Sequence, residues 1–374
     1  RFWTYTADTP AVASAFAAMG VEGIYTNLPS TVATVPLPPN PDPEPPEGTG
    51  GGGGGGTPPP VNRGTWFGYG ATSPGASSIS GMISKGLRAP RCVRAFTGST
   101  TPNSLSDSVL SSGYPLWLSW KPNPDSMMPN PNTWVPAAMT NLKGRIAKST
   151  PTFITVWHEP EGSSDRGSNS LSAWITIWQN AQAALFDACV TARAEGWLFY
   201  VAPIICDWTF TDTSKGSAST WYSSSFVKYD VMGFDVYPVG QMASGSNRIA
   251  RLAMQSDYNV KPYADPARRD SFDYIKRCAA LAAQRGKPWG SGECGIIAGK
   301  EYGGDSLYRY YLSQRAQRFT DITNHLLSLS NPPLLWTWWH EDSCNVINQT
   351  PDDTWGKNAF NASIATSPTT PPRP

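Results

Sequence analysis

The sequence predicts an α/β chain in which eight strands alternate with helices to close a (β/α)8 TIM barrel, and three observations point there. From residue 62 to residue 364, apolar runs of strand length alternate with helical patterns. Most of those runs are apolar almost throughout, as strands covered on both faces must be. A doubly wound sheet would place a glycine-rich phosphate loop after its first strand, and "GYGATSPG" at 68–75 lacks that spacing. Roughly 300 residues is also an ordinary size for such a barrel.

The strands expected in order are "TWFGYG" (65–70), "PRCVRAF" (90–96), "YPLWLSW" (114–120) and "TFITVWH" (152–158). They continue with "WLFYVAPII" (197–205), "YDVMGFDVY" (229–237), "KPWGSGE" (287–293) and "PLLWTWW" (333–339). The clearest helix between them aligns Leu171, Trp174, Ile175, Trp178, Ala181, Leu185, Phe186 and Cys189 on one stripe. A second stripe joins Tyr308, Tyr311, Leu312, Phe319, Ile322 and Leu326.

Residues 35–61 are a linker: the proline-rich half extends, the glycine run is pliant, and neither can bury enough apolar surface to fold. The linker separates a short piece, 1–34, from the barrel at 62–364, and a Pro/Thr-rich tail follows at 365–374. The chain begins with Arg1 rather than Met and is expected to be a piece of a longer polypeptide.

Net charge is +1 with 15% charged residues, which gives no electrostatic basis for binding nucleic acid or an anionic membrane. No apolar run approaches the ~20 residues of a membrane helix. Aromatic residues make up 12% of the chain, with sixteen Trp against three His, a balance suited to stacking on sugar rings as well as to a tryptophan-rich core. Six cysteines show no metal-ligand spacing and are expected to be mostly buried thiols. His340, Glu341 and Asp342 likewise lack ligand spacing, so neither a metal nor another cofactor is expected.

Barrel enzymes carry their chemistry at the C-terminal strand ends. Those ends hold Tyr69, Arg94, Trp120, His158, Glu159, Trp208, Asp235, Tyr237, Glu293 and Trp338. Two carboxylates, Glu159 and Glu293, end the fourth and seventh otherwise apolar strands. Strand alternation would set Glu159 on one face with Thr155 and Trp157, and Glu293 with Trp289 and Ser291. Burying a carboxylate is costly, so a converging pair calls for a role. Two facing carboxylates are the machinery of glycoside hydrolysis. Asp235 could bind a hydroxyl or hold Arg94, and Trp120 and Trp208 could be sugar platforms or core.

"HEPEG" at 158–162 and "GECG" at 292–295 resemble the clan A retaining glycoside hydrolases. The His before the first Glu, together with "YDVMGFDVYP" at 229–238, is most similar to family 26, the β-mannanase-like group. The resemblance implies Glu159 as general acid/base and Glu293 as nucleophile, with carboxyl groups about 5–5.5 Å apart. It also implies that His158 orients the nucleophile or binds a hydroxyl, that Tyr237 is the sixth-strand tyrosine, and that Trp338 lies under the reacting sugar. "HEPEG" departs from the usual "HEMNG", and Cys294 directly follows the second Glu.

The expected activity is hydrolysis of a β-linked polysaccharide, and the alternative is a catalytically silent carbohydrate-binding or structural module. Residues 1–34 resemble the C-terminal end of a glycerophosphodiester phosphodiesterase domain through "GVEGIYTNLP" at 20–29, without that family's catalytic residues. The modular order resembles cell-surface or actinobacteriophage tail proteins, implying an extracellular or virion-associated setting and partner modules reached through the linkers. The loops 121–133 and 239–268, which would select the sugar, match no recognisable pattern.

Overall fold

The computed structural model describes residues 2–4, 21–24, 64–70, 79–97, 105, 107–236, 271–295, 316, 319–339, 354–369 and 374. The chain divides into two compact units, Arg1–Pro59 and Pro60–Pro374. In the first, β1 (Phe2–Thr4) and β2 (Val21–Ile24) pair in parallel, Phe2 opposite Val21.

The second unit is a curled sheet of nine parallel strands flanked by helices. Its strands are β3 (Trp66–Gly70), β4 (Val93–Thr97), β5 (Leu116–Trp120), β6 (Thr152–Val156) and β7 (Phe199–Val201). The remainder are β8 (Ile204–Cys206), β9 (Met232–Asp235), β10 (Trp289–Cys294) and β11 (Leu335–Trp339). The spatial order is β7-β6-β5-β4-β3-β11-β10-β9-β8.

The expectation of eight strands in a closed (β/α)8 barrel is corrected here. The run 197–205, read as one strand, splits into β7 and β8, and these are the two edges of the sheet. The break falls at Ala202–Pro203. Pro203 has no N–H to donate and cannot continue a ladder. The run therefore changes partner there: the Ala202 N–H still donates to Ile154 O on β6, whereas Pro203 O accepts from Gly233 N on β9. The sheet is TIM-barrel-like, with an open ladder between its first and last strands.

The inside of the curl is apolar at its base. Trp117 on β5 lies tilted to Phe153 on β6, and Phe153 stacks with Tyr200 on β7 at 5.4 Å. A Cβ at Gly290 on β10 would stand 3.2 Å from the Trp117 ring, so that ring spans the interior between strands that are not neighbours. Outside the sheet, helices cover the opposite faces of the same strands.

The helices among the described residues are, in chain order, α1 (Ile79–Ser84), α2 (Asp107–Leu110), α3 (Pro131–Arg145), α4 (Leu171–Ala194), α5 (Ala218–Trp221) and α6 (Ser271–Arg285). A further helical stretch at 319–328 buries Phe319, Ile322 and Leu326, and α8 (Thr354–Ala365) closes the series with the former counted as α7. The 308–312 part of the second expected stripe lies outside the described residues. Helix α4 starts at Ser170, whose hydroxyl accepts the Ala173 N–H, and buries Trp174, Ile175, Trp178, Ala181, Leu185 and Cys189 as the stripe predicts. Five of the six cysteines, 92, 189, 206, 278 and 294, are buried free thiols. Among the described residues no helix is long and apolar enough to cross a membrane.

Candidate active site

At the C-terminal end of β6 the chain leaves regular strand geometry. Trp157 and Glu159 both adopt positive φ, 53° and 52°, a left-handed conformation that non-glycine residues rarely take. Such strain persists only where surrounding contacts over-determine it. Helix α4 supplies them from one face, four residues apart. Trp174 Nε1 donates to Pro160 O, Trp178 Nε1 to Trp157 O and Gln182 Nε2 to Val156 O, at 2.8, 3.0 and 2.7 Å. Trp157 packs edge-on against Trp174, on the helix side of the sheet. Glu159 therefore does not share a face with Trp157, and its direction comes from the left-handed turn.

Glu293 is also delivered by an irregularity. On β10, Ser291 pairs with Phe234 and Glu293 with the very next residue, Asp235, so one extra residue bulges at Gly292. The ladder to β11 shifts at the same place. Trp289 packs outward against Phe234 and Trp336, and simple alternation would send Glu293 the same way. A bulge re-aims the following side chain. Gly292 takes the inward position instead, where a Cβ would stand 2.7 Å from Ile204 Cδ1 and 2.8 Å from Asp235 Oδ1. Ser291 Oγ closes the bulge by donating to Glu293 O at 2.8 Å.

These devices bring Glu159, Asp235 and Glu293 together, with one oxygen of each within 4.8 Å of the others. Arg94 on β4 lies beneath them, its Nη2 3.9 Å from Glu293 Oε1. Its Nη1 donates to Ser119 Oγ at 3.1 Å, and Ser119 Oγ is 2.9 Å from His158 Nδ1. Arginine can only donate, so the serine oxygen accepts from it, and the same hydroxyl bonds His158 Nδ1 and fixes the ring's orientation. Burial, then the charges of Arg94 and Lys121, hold the His158 pKa well below the usual histidine range, so the ring is neutral. Asp235 is fully buried, and among the described residues neither of its oxygens has a hydrogen-bond partner. Burial, followed by the charges of Glu293 and Glu159, pushes its pKa well up, which favours the protonated form. Among the described residues these three carboxylates are the grouping that could reach one cation, although Arg94 already places a fixed positive charge beside them.

The other sequence candidates fare differently. Trp338 is fully buried on the outer face of β11, edge-on to Phe319, with its Nε1 donating to Ser363 Oγ. It cannot lie under a sugar. The next residue, Trp339, is the half-buried one, stacked on Phe96 at 5.5 Å, and Phe96 in turn touches the His158 ring and the Arg94 guanidinium. Trp120 is likewise completely buried, edge-on to Trp134 of α3, and is core rather than platform. Trp208 sits half-buried on a 3-10 turn, Asp207–Phe210, with Lys215 Nζ 4.9 Å over its ring. Tyr237 and the 340–342 acidic stretch lie outside the described residues.

Residues not predicted for the site also enter it. Cys206, at the end of β8, donates from Sγ to Glu159 Oε1 at 2.9 Å, and its N–H donates to Glu161 Oε1 at 2.7 Å. Glu161 is buried, and that burial pushes its pKa well above the carboxylate range. Nothing in the residue pattern marks Cys206 or Ser119 in advance, because both sit in runs that look like ordinary strand. Glu161 stands two residues from Glu159, within the same "HEPEG" segment.

No protein-family profile and no curated protein matches the chain. Solved structures do match. A glucosidase from Croceicoccus marinus is similar at a TM-score of 0.50 and 10% identity, over 84% of this chain and 70% of that one. A modular family 26 endo-β-1,4-mannanase from Cellulomonas fimi matches at 0.47 and 16%, over 82% and 71%. A family 128 endo-β-1,3-glucanase from Amycolatopsis mediterranei, solved with laminaritriose, matches at 0.42 and 13%, over 80% and 100%. At these identities the likeness reaches the fold and no single family. The chain has a TIM-barrel-like α/β fold.

Proposed function

We propose that the protein is a retaining glycoside hydrolase that cleaves a β-linked polysaccharide. The observation that carries this is the approach of Glu159 and Glu293 to within 4.8 Å at the C-terminal strand ends. Retaining enzymes keep their carboxyl groups about 5–5.5 Å apart, whereas inverting ones hold them about 6.5–9.5 Å apart to admit a water. Two separate backbone irregularities are maintained to produce the closer arrangement.

In this mechanism Glu159 donates a proton to the departing glycosidic oxygen while Glu293 attacks the anomeric carbon. Water, deprotonated by Glu159, then releases the sugar. Arg94 offsets the negative charge of Glu293 and fixes the side chain's place. Asp235, whose pKa burial pushes up, is disposed to stay neutral rather than add a third charge to the cluster. His158 offers its Nε2 to a substrate hydroxyl. Trp339 with Phe96 supplies the aromatic face that the sequence resemblance assigned to Trp338. A mannan-like or cell-envelope glycan in an extracellular or virion-associated setting is the substrate class we favour, on the strength of the "HEPEG" and "YDVMGFDVYP" segments and the modular linkers.

Azide separates the two roles. Glu159→Ala should retain turnover of activated aryl glycosides, lose turnover of the glycan, and recover activity with added azide, giving a product of retained configuration. Glu293→Ala should lose both substrates and give at most an inverted azide product. Responses in the opposite sense would exchange the two assignments, and full activity in both variants would place the chemistry elsewhere.

A further inference from the structure

The loop that carries Glu159 is tied to β8 across the open edge of the sheet. β6 and β8 share no ladder, yet three bonds join their ends. The Glu159 N–H donates to Ile204 O at 3.1 Å, the Cys206 N–H to Glu161 Oε1 at 2.7 Å, and the Cys206 thiol to Glu159 Oε1 at 2.9 Å. The first two fix the backbone on either side of the third. Of the three, the thiol bond is the one that reaches the Glu159 carboxyl group.

We propose that Cys206 is a positioning residue for the acid/base: its S–H occupies Glu159 Oε1 and thereby leaves Oε2 as the oxygen that exchanges the proton. The role rests on the assignment of Glu159 made above, whereas the contact itself does not. Three observations favour a donor role for the thiol. Cys206 is buried, which removes it from disulfide exchange in the folded protein. Burial, followed by the acidic neighbours Glu161 and Glu159, raises its pKa well above the usual thiol range, so it keeps its proton. The Thr209 hydroxyl donates to Cys206 O at 2.6 Å, anchoring the residue from the following turn as well. A carboxyl group with one oxygen occupied has a single face left for the leaving group. That restricts rotation before the transition state, a contribution of the kind expected from orientation.

Infrared spectroscopy of the S–H stretch tests the contact without requiring activity. The difference between wild type and Cys206→Ser identifies the Cys206 band among the buried thiols. The band should lie at lower wavenumber than theirs and move up in Glu159→Ala. A band that does not respond to Glu159→Ala overturns the proposal. Kinetics on phenyl and dinitrophenyl β-glycosides then tests the role. Cys206→Ala should lower kcat roughly three- to tenfold on the poor leaving group, the range expected for one lost hydrogen bond, and much less on the good one. KM should stay close to wild type, and Cys206→Ser should restore the wild-type ratio. Equal losses on both substrates would make Cys206 merely structural and overturn the role. If Glu159→Ala itself shows no dependence on the leaving group, the acid assignment fails, and the infrared band still decides the contact.

Discussion

Arg94 Nη2 lies 3.9 Å from Glu293 Oε1 while Nη1 of the same guanidinium holds Ser119, so one buried cation supports both the expected nucleophile and the histidine beside the expected acid. The arginine side chain is completely buried, and three carboxyl groups gather above it. Removing one partner of a buried pair leaves an uncompensated charge, which typically costs about 3–5 kcal/mol. Arg94→Met should therefore lower stability at pH 7 by about that amount. The loss should shrink as the pH falls and the carboxylates take up protons. Urea denaturation at pH 7 and at pH 4.5 checks this, and equal losses at the two values would count against the charge-balancing role.

Asp235 makes the opposite contribution to stability. Its folded pKa is raised, so the folded state binds more protons than the unfolded state between the ordinary carboxylate value near 3.8 and the elevated one. Stability then falls as pH rises through that window. Asp235→Asn keeps the shape and removes the titration, so the variant should gain on wild type as the pH climbs from 4 towards neutrality. Parallel stability curves would show that Asp235 does not hold its proton in the folded protein.

Gly292→Ala should disturb Glu293 more than the fold. The added methyl would press on Ile204 and Asp235 at 2.7 and 2.8 Å, in a packed region where such insertions cost about 1–3 kcal/mol. Activity should drop by a larger factor than stability accounts for, because relief of the contact shifts the bulge that aims the carboxylate. Measuring kcat together with the melting temperature separates the two effects. Unchanged kcat would mean that the bulge tolerates the methyl without moving Glu293.

The adjacent tryptophans of β11 should separate cleanly. Trp338→Ala removes a fully buried ring between helices and sheet and should cost about 3–5 kcal/mol. Trp339→Ala should leave stability nearly unchanged and raise KM on the glycan. The reverse pattern, read from denaturation and steady-state kinetics, would restore Trp338 to the site.

Much of the sheet was legible because long apolar runs have few other uses, and the α4 stripe was legible because a period of 3.6 leaves a clear signature. The identities of Glu159 and Glu293 followed from their places at strand ends. Their directions did not. Alternation assumes regular strand, and both side chains are aimed by departures from it: positive φ at Trp157 and Glu159, and the bulge at Gly292. The same one-residue parity separates Trp338 from Trp339, and nothing in "WTWW" says which ring faces inward. Pro203 was visible in the run 197–205, and its missing N–H was the one available sign that the run would divide between two edges. Cys206 gave no sign, because its thiol becomes a donor only where β8 meets the loop after β6.

Trapping the covalent intermediate tests the central claim most directly. A fluorinated glycoside with a good leaving group should form a glycosyl ester that accumulates, because the fluorine slows its hydrolysis more than its formation when the activated leaving group is present. Intact-protein mass spectrometry should show one added sugar per chain, and peptide mapping should place it on Glu293. The same reagent should leave Glu293→Ala unmodified. Labelling of Glu159 instead would exchange nucleophile and acid, and the absence of any adduct in a protein that hydrolyses its glycan with inversion would contradict the double displacement.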